Sequence, residues 1–191
     1  MPLIMGILAQ AAAAPGPTPG AGAYDLLETE ILTGTQSSVT FSSLDSYSDY
    51  QHLQFRGMTR DSFASSDRAI DVRINADSTA SYSSHRMYTK GSGFSNNVYT
   101  SQTIMQNVLG HPAASAGSNS YGAWVWDVLD AYETTKYKTF RAFHGFADPN
   151  FVGITSGLWQ NTAAITSVEF VPTDGNFVIG SRISLYGLKA A

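Results

Sequence analysis

Gly122-Ala123-Trp124-Val125-Trp126-Asp127-Val128-Leu129 sets Trp124, Trp126 and Val128 at every second position. A period of two puts those three side chains on one face of an extended chain, as in a strand with one buried side. Large aromatics recurring at that spacing read as core, packed against a second layer, rather than as an exposed platform for a sugar ring.

The same alternation extends outward from this stretch in both directions. Ile70, Val72 and Ile74 alternate with Asp71 and Arg73, Val39 and Phe41 with Ser38 and Thr40, and Leu53 and Phe55 with His52, Gln54 and Arg56. Further on, Phe140, Ala142 and His144 oppose Thr139, Arg141 and Phe143, while Ile183, Leu185 and Gly187 share a face near the end. Ile165, Val168 and Phe170 predict a strand with a local irregularity, giving roughly nine or ten strands in all. Turn signals separate them: Asn75-Ala76-Asp77, Gly91-Ser92-Gly93, Ser118-Asn119-Ser120, Asp148-Pro149-Asn150 and Asp174-Gly175-Asn176. Asp174-Gly175 carries a strong hairpin signal, because both positions take positive φ cheaply. Gly153-Ile154-Thr155-Ser156-Gly157 reads as a turn into the strand that contains Trp159, and Asp130 to Thr135 as a single helical turn. The expected fold is an all-β, jelly-roll-like antiparallel β-sandwich over residues 24–191.

Composition agrees. The 191 residues are 43% hydrophobic but only 14% charged, so Ser, Thr, Asn and 17 Gly supply the surface polarity. Short hydroxyl side chains suit strands and turns better than helix interiors. A net charge of -4 with scattered Lys and Arg lacks the basic footprint of a nucleic-acid binder. Zero cysteines remove disulfides, thiolate nucleophiles and Cys-ligated metals, and fit assembly in a reducing cytoplasm.

Residues 1–23 differ from the rest. Pro2 to Ala14 are mostly apolar, and Pro15 to Ala23 alternate Pro and Gly, which denies regular hydrogen bonding and reads as an extended linker. No Lys or Arg precedes the apolar run, so it lacks the basic start of a signal peptide, and it is too short and interrupted to span a bilayer. It reads as a docking arm, with Leu3, Ile4, Met5, Ile7 and Leu8 as the candidate docking residues.

Motifs for chemistry are missing. His52, His85, His111 and His144 have no ligand spacing and read as surface or partly buried structural residues. There is no nucleophile elbow, phosphate loop, dinucleotide fingerprint or EF-hand spacing. Asp45, Asp49, Asp77, Asp148 and Asp174 read as turn formers or solvated acids. The expectation is a protein that is not an enzyme and needs no cofactor or metal.

The stretch Ser38 to Arg60, SVTFSSLDSYSDYQHLQFRGMTR, with Arg73 to Asp77 and Ala147 to Leu188, resembles a family of tailed-phage virion proteins common in marine and cyanobacterial phages. The match rests on Ser38-Val39-Thr40-Phe41, the strand motif Tyr50 to Arg56, Arg73 to Asp77, Lys136 to Arg141, Ser156 to Trp159, Ala163 to Ser167 and Gly180 to Gly187. The resemblance implies a non-enzymatic structural protein of the virion, a tail fibre, appendage or capsid decoration, joined to other phage proteins through its arm and assembled as a homotrimer or other homo-oligomer. The alternative is a receptor-recognition module binding host-surface glycan through loops such as Gly91 to Asn97 and Gly110 to Tyr121.

Overall fold

Twelve strands and one short 3-10 helix, Leu44–Tyr47, make up residues 24–189, the part of the chain that the computed structural model describes. The strands are β1 (Asp25–Ile31), β2 (Val39–Phe41), β3 (His52–Thr59), β4 (Asp67–Ile74), β5 (Tyr82–Lys90), β6 (Gly93–Gln102), β7 (Met105–Pro112), β8 (Gly122–Leu129), β9 (Lys138–Phe146), β10 (Phe151–Trp159), β11 (Val168–Pro172) and β12 (Arg182–Leu188). They form an eight-stranded sheet, β1-β12-β3-β8-β9-β10-β5-β6, and a four-stranded sheet, β2-β11-β4-β7.

Eight of these strands form a jelly roll. β1 pairs with β12, β2 with β11, β3 with β8 and β4 with β7, all antiparallel, so the chain is one long hairpin rolled up across two sheets. Two further hairpins are inserted into that frame: β5–β6 between β4 and β7, and β9–β10 between β8 and β11. Both add to the same edge of the larger sheet, beyond β8. The larger sheet therefore overhangs the smaller one, and β9, β10 and β5 close over β7.

The core lies between the sheets. Trp124, Trp126 and Val128 all point into it, as their spacing requires. Phe170 of the small sheet enters a ring of aromatics, with centroids 5.2 Å from Phe55, 5.2 Å from Trp124 and 5.7 Å from Trp126. Trp126 also stacks on Phe140 at 5.1 Å. Each such side chain contributes about 1.5–3 kcal/mol by leaving water, and the edge-to-face pairs add about 0.5–1.5 kcal/mol each. Gly57 sits directly opposite Trp124 across the β3–β8 ladder, and a Cβ there would lie 2.1 Å from the indole. The tryptophan ring takes the space that a side chain would need.

Several sequence expectations change. The strand count is twelve, because β5 and β6 carry few apolar alternations to reveal them. The Gly153 to Gly157 segment lies within β10 and is not a turn; its glycines leave room for His144 and Met105, whose side chains a Cβ would meet at 2.7 and 2.5 Å. Asp174-Gly175 does turn, with Gly175 at φ 63°, but it carries the chain between sheets rather than closing a hairpin. Asp130 to Thr135 form turns and bends without a helix.

Candidate functional site

The outer face of the large sheet is built from residues that alternate with the core. In the cross-strand register, Val125 faces Phe143, Phe143 faces Ile154, and Ile154 faces Met87. These four make an apolar ladder across β8, β9, β10 and β5. Phe143 is 55% exposed and Ile154 49%, with Val152 and Phe94 beside them also exposed. Single exposed apolar side chains are ordinary, but a contiguous row of them marks an interaction surface.

Polar groups border the row. The Asp127 carboxylate accepts from Gln54 Nε2 at 2.6 Å and from Arg141 Nε at 2.7 Å. Two depressions flank Phe143, of about 490 Å³ on the His85 side and about 690 Å³ on the Met58 side. At the β12 end of this face, the Arg56 guanidinium is sandwiched between Tyr24, 4.7 Å from its ring, and Tyr186, 4.5 Å from its ring. Tyr24 is the first described residue, so the described chain starts on the side of the apolar face. The docking residues Leu3, Ile4, Met5, Ile7 and Leu8 themselves lie outside the described residues.

Three fully buried side chains resemble a catalytic arrangement. Thr59 Oγ1 lies 3.2 Å from His111 Nδ1, and His111 Nε2 lies 3.4 Å from Asp61 Oδ2. Burial pushes the His111 imidazole below its ordinary range, against the opposing pull of Asp61. Trp124 Nε1 donates to the Thr59 hydroxyl at 2.9 Å, and none of the three residues is exposed to solvent. As it stands, the cluster ties β3, β7 and β8 together and offers no surface to a substrate.

The other histidines divide. His85 is exposed on the outer face and His52 is half-buried, but His111 and His144 are wholly buried, deeper than sequence reasoning placed them. Alternation marked His144 as sharing a face with Phe140 and Ala142, and that signal already pointed inward. Residues 93–97 of the expected glycan-contacting loop belong to β6, and Gly110 to Pro112 belong to β7. Trp159 is buried with Trp124 and Trp126, so the three tryptophans offer no sugar-stacking platform.

Among the described residues no group of three or more His, Asp or Glu side chains is placed to hold a metal ion, and no helix is long and apolar enough to cross a membrane. Comparison with known proteins returns no matching family model, curated protein or solved structure.

Proposed function

We propose that the protein is a non-enzymatic structural subunit of a bacteriophage virion, a tail appendage or capsid decoration. In this reading it packs through the apolar outer face of its large sheet and is secured to neighbouring subunits by its N-terminal arm. The observation that carries it is the in-register ladder Val125–Phe143–Ile154–Met87, which no other described residue covers and which shares its sheet face with Tyr24, the first described residue. The whole eight-stranded face, at about 4.8 Å between strands about eight residues long, spans on the order of 900 Å², beside the ~800 Å² per partner of a standard stable interface, and the four-stranded apolar part is about half of it. The low charge density and the resemblance to phage virion proteins support the same reading, and an apolar face of this kind can meet its own copy across a two-fold axis in a homo-oligomer.

The test is mass spectrometry of purified particles of the phage whose genome encodes the chain. A fixed copy number per particle is the expected result, and absence from the particle would overturn the proposal.

A further inference from the structure

A second site lies on the other side of the large sheet, under the overhang. Arg86 points inward from β5 and is only 9% exposed. Its Nε has no hydrogen-bond partner, and it forms no ion pair among the described residues. Thr155, directly across the β5–β10 ladder, also has its hydroxyl buried without a partner. Native structures rarely leave such groups unmet, and a buried guanidinium least of all.

Arg86 lines a cavity of about 380 Å³ together with Tyr88, Lys90, Asn107 and Thr173. Tyr88 stacks on Phe151 at 5.2 Å, and the Arg86 guanidinium lies 4.2 Å from the Tyr88 ring. The guanidinium plane is thereby fixed before any ligand arrives, as bidentate recognition of a planar oxyanion requires. The other charges on the cavity wall already cancel: Lys90 pairs with Asp67, and Arg68 Nε lies 3.2 Å from Asp174. Asp71, whose charge Arg86 feels, accepts from the Asn107 backbone amide at 2.7 Å and makes no ion pair with Arg86. With the Asp71 carboxylate offsetting part of the Arg86 charge, the cavity suits a single negative charge better than the nearly double charge of a phosphate. Asn107, Thr173 and the paired carboxylates offer partners for hydroxyl groups.

We propose that this cavity binds a small hydroxylated carboxylate, a sugar acid of monosaccharide size, with Arg86 receiving the carboxylate. The inference goes beyond the structural role above and does not depend on it.

The test is calorimetric titration of the full chain with D-glucuronate, D-glucose and inorganic phosphate. Saturable glucuronate binding is expected, with glucose and phosphate each at least about tenfold weaker, and Arg86→Gln is expected to lose about tenfold or more of the glucuronate affinity. Absence of glucuronate binding, equal binding of glucose or phosphate, or unchanged affinity in a folded Arg86→Gln protein would overturn the proposal. Should Arg86→Gln lose its cooperative thermal transition, Asn107→Gly decides the matter. Asn107 already sits at φ 53°, which glycine adopts freely, so the variant removes only the side-chain amide. It is expected to weaken glucuronate several-fold, and unchanged affinity sinks the proposal.

Discussion

Arg60 donates through Nη1 to the backbone carbonyl of Ser120 at 2.9 Å, joining two residues sixty positions apart. The same nitrogen reaches the Gly117 carbonyl, and Nη2 reaches those of Ala114 and Ala116 at 3.3 and 3.0 Å. One planar guanidinium thus holds the whole 114–120 loop, which lacks regular structure of its own. Lysine cannot reproduce the fan of donors. Arg60→Lys is expected to cost about 1–3 kcal/mol of stability in urea unfolding and to speed proteolysis within residues 114–120, because the buried Ala116 carbonyl and the partly buried ones of Ala114, Gly117 and Ser120 lose donors. A variant within about 0.5 kcal/mol of the parent would refute this.

The two core tryptophans differ in one respect that a paired substitution exposes. Trp124 Nε1 donates to Thr59, whereas Trp126 Nε1 is buried without a partner. Replacing either by Phe removes similar volume, but only Trp124→Phe breaks a hydrogen bond. Trp124→Phe should therefore cost about 1 kcal/mol more than Trp126→Phe, read as the difference in urea unfolding free energy. Equal costs would show that the Thr59 contact contributes nothing.

Stability should bend with pH through buried ionisable groups. Burial, aided by the charges of Arg86 and His111, pushes the His144 imidazole down to about 3. The native state keeps it neutral while the unfolded chain takes a proton below about pH 6.5, so its contribution is full above that pH and is lost as pH falls toward 3. Asp71 acts in the opposite sense. Burial raises its carboxyl to about 6, so its contribution is present below about pH 4 and is lost as pH rises through 6. His144→Phe is expected to flatten the acid limb by up to about 1.4 kcal/mol per pH unit, and Asp71→Asn to stabilise the protein at pH 7.5 and steepen its loss on acidification. Urea unfolding at pH 7.5, 6, 5 and 4 checks both, and parallel curves for parent and variants would contradict them.

How much of this was legible in the sequence depends on where each strand sits. Ile70, Val72 and Ile74 announce β4, since the half-buried polar Asp71 and Arg73 alternate with these core residues. β6 is half-exposed or exposed throughout, so no apolar period marks it, and only the Gly91-Ser92-Gly93 turn hints at the β5–β6 hairpin. The jelly-roll pairing was readable as a class but not as a register, because the partners β1 and β12 are separated by nearly the whole chain. The Arg86 cavity was invisible for a similar reason. It joins residues of β4, β5, β7 and β10 with the chain after β11, and nothing local distinguishes Arg86 from a solvated arginine.

The outer face carries the last prediction. Phe143 and Ile154 face each other across β9 and β10, and both are about half exposed, so their replacement removes little from the core. Phe143→Ser with Ile154→Ser should leave the thermal transition within a few degrees of the parent, because substitutions on such surfaces usually cost little. Their role lies in association. A buried Phe or Ile contributes about 1.5–3 kcal/mol at an interface, so losing both from each copy should shift self-association by at least tenfold, measured by analytical ultracentrifugation across a concentration series. Replacing Ile4, Ile7 and Leu8 with Ser separates the two halves of the proposed attachment. If the face drives self-association and the arm secures the subunit to the particle, the face variant dissociates while the arm variant still oligomerises but fails to join virions. A face variant that associates as strongly as the parent would rule out the outer sheet face as the packing surface.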